Sequence, residues 1–303
     1  MRVRPNSTIA AMAALLLSTV AAPAKAQLPP RPEDATPAVS GNMPTIVTSP
    51  ATPLNPTPPR PSPTIAPEYA YPTPVSTTPL MKDELWAAPP PTPSKHVYTK
   101  CRVNAPLVAI SFDDGPHPTL TPKLLDLLKA RGVKATFYVI GKNVTLYPEI
   151  VRRMIDEGHE VGNHTWSHPS LTKLSSSAVE KEIQSTTKAI VDACGTAPTT
   201  MRPPYGATNS SLNKRMAEEF GLPVILWSVD PQDWKIRRAS HVSNHLIQHA
   251  SPGDILLAHD IHPSTVEAMP ATLDALIAKG YKFATVTELL HMDELAESTP
   301  STH

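Results

Sequence analysis

Proline placement decides where this chain can fold. Of its 303 residues 37 are proline, and more than half of those fall between Pro29 and Pro93, among Thr, Ser and Ala with few apolar anchors. Each proline withdraws a backbone donor and locks φ, and a stretch so poor in apolar mass cannot offset the entropy lost on ordering. Residues 27–99 are therefore expected to form a disordered or polyproline-like linker that acts as a spacer, interrupted at Met81–Trp86. Ahead of it, Arg2 and Arg4 precede an apolar run from Ile9 to Ala22 and then Ala24-Lys25-Ala26. That order predicts a cleavable export signal over residues 1–26. The run is shorter than the roughly 20 residues that span a bilayer, so no lasting membrane insertion is expected. One folded domain remains, residues 100–292, followed by a flexible tail, 293–303.

Charge narrows the choice of partner. Lys plus Arg and Asp plus Glu are 27 each, a formal net charge of zero, so nothing points to nucleic acid or an anionic membrane surface. A neutral glycan fits that balance. Cys101 and Cys194 are the only cysteines; oxidised in an export compartment they would close a long loop, and spacing leaves two unpaired thiols open as well.

After Cys101 the pattern alternates between strand and helix. Leu107–Phe112 reads as a strand, Thr121-Pro122 starts a helix that Gly132 closes, and Ala135–Ile140 is a second strand. Pro148 opens a helix ending at Gly158, Glu160–Asn163 is a third strand, and Ser177 with Glu180 forms a capping box for a helix to Cys194. Thr200–Arg202, Pro223–Val229, Asp254–His259 and Lys282–Ala284 are further strands. Between and after them come helices at Ser210–Phe220, His241–His249, Thr265–Lys279 and Thr287–Met292. Such alternation predicts an α/β fold with parallel strands, as a barrel or an open sheet.

Two stretches carry chemistry. Ser111-Phe112-Asp113-Asp114-Gly115-Pro116 sets two adjacent carboxylates at the end of the first strand. Neighbouring strand side chains point opposite ways, and Gly115-Pro116 breaks the extended path, so one acid can face a metal and the other a reacting water. The same residues also make an ordinary turn. Further on, His164-Thr165-Trp166-Ser167-His168 places two imidazoles four apart, on one side of a helical turn or tight loop. Two imidazoles and one carboxylate form a facial set of three, leaving positions for water and substrate as a catalytic zinc site requires.

With these stretches the chain resembles the polysaccharide deacetylases that share the NodB homology domain. Residues 111–116 and 164–168 match the first two motifs of that family. Arg202-Pro203-Pro204-Tyr205, Asp230-Pro231-Gln232-Asp233-Trp234 and Leu257-Ala258-His259 match the later ones, in order. The resemblance implies a deformed (β/α)7 barrel over residues 100–292. In such a barrel, motifs at the C-terminal ends of strands gather on the catalytic face.

What the resemblance implies for the site follows position by position. Asp114, His164 and His168 are the expected ligands of a divalent metal, zinc first, with cobalt or manganese able to use the same set. Asp113 is the expected general base, oriented by Arg202. His259 is the expected general acid, held by Asp233. Tyr205 offers its backbone N–H to the oxyanion and lines the substrate site with Trp234 and Leu257; Asp230 and His262 have no assigned chemistry. The implied activity is removal of N-acetyl groups from N-acetylglucosamine units of an acetylated polysaccharide, peptidoglycan first and chitin oligomers second, by an exported protein of the periplasm or cell wall. An O-acetyl xylan esterase and an inactive glycan-binding relative remain alternative readings.

Overall fold

The computed structural model describes residues 95–298. The expected export signal, almost all of the expected linker and residues 299–303 lie outside the described residues. The elements in chain order are β1 (Val97–Tyr98), β2 (Leu107–Asp113), α1 (Leu120–Lys129), β3 (Thr136–Val139), α2 (Gly141–Leu146), α3 (Pro148–Asp156), β4 (Glu160–Asn163), α4 (Ser176–Cys194), α5 (Ser210–Phe220), β5 (Val224–Ile225), α6 (Ala239–His249), β6 (Ile255–His259), α7 (Pro263–Ala278), β7 (Lys282–Ala284) and α8 (Val286–Ser298).

Every strand pair among these elements is parallel. The sheet runs β4-β3-β2-β6, with β7 paired to the first residues of β2. Isolated bridges continue it from Asn163 to Met201, from Met201 to Val224, and from Val229 to Leu256 of β6. The expected strand at Thr200–Arg202 shrinks to the bridge at Met201: the N–H groups of Met201 and Arg202 still pair, but Pro198 and Pro203 offer no donor to extend the pairing on either side.

β2 is central and buried along its whole length, which is why it reads as a nearly continuous apolar run. Alternation divides it. Val108, Ile110 and Phe112 join the layer of α1, α3 and α7, while Leu107 and Ala109 join Ile225, Ile255 and Leu289. Ser111 and Asp113 therefore continue the face of Leu107 and Ala109, ending beside His259, the register partner of Asp113.

Several local expectations change. The cap of α4 is Ser175, whose Oγ accepts from the N–H of Ala178; Glu180 instead accepts from Gln184, so there is no Ser177/Glu180 capping box. At the start of α1, His117 Nδ1 accepts from the N–H groups of Thr119 and Leu120. The last helix runs to Ser298 rather than stopping at Met292, and Asp293 is buried, accepting from Lys95 Nζ at 2.7 Å and from the N–H of Arg102 at 2.6 Å. Cys101 and Cys194 are both free thiols. No helix among the described residues is long and apolar enough to cross a membrane.

Candidate active site

The motif residues converge where strands end. Asp113 is the last residue of β2, and Asp114 turns the chain away with φ 75°. His164 follows β4 directly, Arg202 follows the Met201 bridge, and His259 closes β6.

One ligand atom each from Asp114, His164 and His168 lies within 4.8 Å of the others. His164 Nε2 is 3.4 Å and His168 Nε2 3.2 Å from Asp114 Oδ1. His164 donates its Nδ1–H to the carbonyl of Arg202 at 2.7 Å, so its Nε2 lone pair faces the carboxylate. Burial and the neighbouring His164 hold the His168 pKa below its usual value, favouring the neutral ring. Asp114 Oδ1 is buried without a hydrogen-bond partner. Lone pairs converging on an orphaned carboxylate oxygen repel unless a cation lies among them, so the donor set fits a divalent metal of mixed nitrogen and oxygen preference.

Behind this pocket Arg202 is fully buried. It donates to Asp113 Oδ1 at 2.7 Å, to Ser111 Oγ at 2.8 Å, and to the carbonyls of Ile225 and Leu226. Its guanidinium lies 4.2 Å from the centre of the Tyr138 ring. Asp113 Oδ2, the oxygen left outside that clamp, is 3.8 Å from His164 Nε2.

On the other side, Asp233 accepts from His259 Nδ1 at 2.7 Å, from the His259 N–H at 2.8 Å and from Thr265 Oγ1 at 2.6 Å. Burial alone would depress the His259 pKa, but the hydrogen bond and charge of Asp233, with Asp113 and Asp114 beyond, push it up to about 9. Burial likewise opposes ionisation of Asp233, and the His259 contact outweighs it, lowering the pKa.

The three expected substrate contacts divide by exposure. Trp234 is 50% and Tyr205 71% exposed, the latter with φ 63° and its ring 4.7 Å from that of His168. Leu257 is buried, on the same face of β6 as His259 and outside the apolar clusters. Asp230 forms a turn, accepting from the Gln232 N–H.

Sequence reasoning missed two participants. Ser111 bridges the Arg202 guanidinium to the carbonyl of Leu256; its place two residues before Asp113 on one strand face was the available signal. Asp260 is fully buried behind the Asp114 turn, accepts from Thr121 Oγ1 and leaves Oδ1 unpaired. Burial, reinforced by Asp114, pushes its pKa up to about 7. Gly115 makes room for it, since a Cβ there would collide with the Asp260 carboxylate.

A polysaccharide deacetylase family model matches residues 100–225. A chitooligosaccharide deacetylase of Bradyrhizobium is 37% identical over 197 residues, covering 60% of this chain and 90% of its own length. The chain belongs to the polysaccharide deacetylase family. Among other polysaccharide deacetylases, the peptidoglycan-N-acetylglucosamine deacetylase of Listeria monocytogenes is 50% identical over 182 residues, 60% of this chain but only 38% of the Listeria protein. The match thus spans about two fifths of that relative. The solved structure of the peptidoglycan deacetylase PdaC from Bacillus subtilis superposes with a TM-score of 0.61 at 40% identity, over 64% of this chain and 95% of that one.

Proposed function

We propose that this polysaccharide deacetylase is a metal-dependent hydrolase that removes N-acetyl groups from N-acetylglucosamine units, with peptidoglycan as its substrate. The observation that carries the reading is the pair of clamped groups on either side of the Asp114/His164/His168 pocket: Asp113 held by Arg202, and His259 held by Asp233. The names of the Listeria and Bacillus relatives support peptidoglycan as the substrate, and that of the Listeria protein supports the N-acetylglucosamine unit. That of the Bradyrhizobium relative favours a second reading, chitin oligomers. We also read the bridged parallel sheet as the deformed (β/α)7 barrel, and the protein as exported to the periplasm or cell wall.

Asp114, His164 and His168 would hold the ion, zinc by its preference for this mixed set. When bound, the ion supplies a lowered water pKa and a polarised acetyl carbonyl. Asp113 takes the proton of the attacking water through its free Oδ2, while Arg202 keeps Oδ1 occupied and the carboxylate oriented. The backbone N–H of Tyr205 donates to the oxyanion of the tetrahedral intermediate. His259 then gives its Nε2 proton to the departing sugar amine, its Nδ1 being engaged by Asp233. Leu257 and Trp234 wall the space for the acetyl methyl and the sugar.

Acetate release from purified sacculi, chitin oligomers and acetylated xylan, with and without chelator, tests the reading. Chelator-sensitive release from sacculi is expected. Release from xylan alone would establish an esterase, and retention of glycan without any release would establish a binding protein.

A further inference from the structure

From Trp234 to Gly253 the chain contains no Asp or Glu, yet it carries Lys235, Arg237, Arg238, His241, His245 and His249. In a chain of zero net charge the lysine and two arginines make a local surplus of positive charge, and the histidines add hydrogen-bonding nitrogens beside them. Lys235, Arg237 and Arg238 are all exposed, and among the described residues none of them makes an ion pair. Several surface cations elsewhere do, Arg131 with Asp274, Arg153 with Asp126, Lys188 with Asp192 and Arg215 with Glu219 among them.

The patch starts at the lip of the catalytic pocket. Asp233, which clamps His259, is followed directly by half-exposed Trp234. Arg237 lies close enough to His262 to help depress its pKa, after burial, and the His262 ring centre is 5.8 Å from that of His259. His241 Nε2 donates to the carbonyl of Pro231 at 3.1 Å, tying α6 to the same loop. A surface groove of about 240 Å³ then continues along α6, lined by Arg238, Ser240, His241, Asn244, His245 and Gln248. Every one of these side chains can donate a hydrogen bond and none is acidic. The adjacent carboxylate, Asp230, is turned to the Gln232 N–H.

We propose that this rim and groove form a subsite for carboxylates carried by the glycan, selecting chains whose neighbouring sugars bear lactyl or peptide carboxylates over neutral chitin-type chains. The proposal rests on the deacetylase reading and sharpens its substrate class. Trp234 offers an apolar face for a sugar ring at the lip, and the three cations receive the charged substituents one sugar further along. Rim charges of this kind act on encounter rate and salt dependence more than on the chemical step.

The test compares the full chain with its Lys235→Gln/Arg237→Gln/Arg238→Gln variant. The probes are peptide-bearing glycan fragments released from sacculi and a neutral chitin pentamer. For the variant, kcat/KM for the carboxylate-bearing fragments should fall about ten-fold while that for the pentamer holds. In the unaltered chain the preference for the charged fragments should shrink as salt rises from about 20 to about 200 mM. An equal change on both glycans, or none on either, overturns the proposal. Equilibrium binding of the same two glycans reads the patch independently of turnover. Charge-dependent binding without acetate release from either glycan would therefore sink the deacetylase reading and keep the subsite, whereas acetate release with charge-blind binding would do the reverse.

Discussion

Asp113 and Asp114 are neighbours in sequence with opposite surroundings. The first ends a strand with one oxygen clamped by Arg202, and the second turns through a left-handed backbone to face two imidazoles. Asp113→Asn should keep its metal content and lose turnover by about 10²-fold or more, the span a general base contributes. His164→Ala should instead lose metal by elemental analysis, since the orphaned Asp114 oxygen and His168 leave only two ligands. The charge state of His259 gives a third expectation. An acid must be protonated to work, and Asp233 pushes its pKa up to about 9, so kcat/KM should hold up to about pH 9 and decline above it. Asp233→Asn should pull that alkaline limb down towards the unperturbed histidine value of about 6.5, and an unmoved limb would remove Asp233 from this role. These residue types were legible because the motifs name them. Their strain was not: Asp114, Thr165, His168 and Tyr205 all have positive φ, where side chains cost about 1–3 kcal/mol each, and no propensity predicts that a Thr or His will sit there.

At the scale of elements, the strands and long helices were readable from alternation and proline starts, because burial on β2 and the stripe of α3 are written in side-chain type. Short pieces were not. α2 is a six-residue helix with no side-chain cap, held by contacts from elsewhere, such as the N–H groups of Gly141 and Lys142 donating to the carbonyls of Thr165 and Trp166. The cap of α4 lay two residues from its expected place because Ser175, Ser176 and Ser177 are alike in sequence and only the entry angle chooses between them. The turn after β2 depends on a missing methyl. Gly115→Ala drives a Cβ against the Asp260 carboxylate and should cost about 1–3 kcal/mol in denaturant unfolding, the usual range for overpacking. Combining it with Asp260→Ala should cost less than the two single changes added.

The whole domain carries an acid sensitivity remote from catalysis. His159 is 5% exposed, accepts from the Ala135 N–H at 3.1 Å, packs edge-on to Phe137 and has no partner at Nε2. Burial, with the charges of Lys134 and Arg153, lowers its pKa to about 4. Between about pH 6.5 and 4 the unfolded chain thus binds a proton that the folded one refuses, so stability is complete above that window and falls as pH drops through it, by up to about 3 kcal/mol. His159→Gln should flatten the fall in Tm between pH 7 and 5, whatever its starting value. The closure of the sheet through single bridges was invisible in sequence, because Met201 and Val229 pair without any strand long enough to show a period. Arg202 spans that closure: its carbonyl fixes the ring of His164, its guanidinium fixes Asp113, and the guanidinium is itself anchored to the main-chain carbonyls of Ile225 and Leu226. The length of one amino acid therefore sets the gap between the Asp114/His164/His168 pocket and the Asp113 carboxylate. Truncating its side chain would leave a molecule that still loads its ion but has lost the gauge that keeps the two in step.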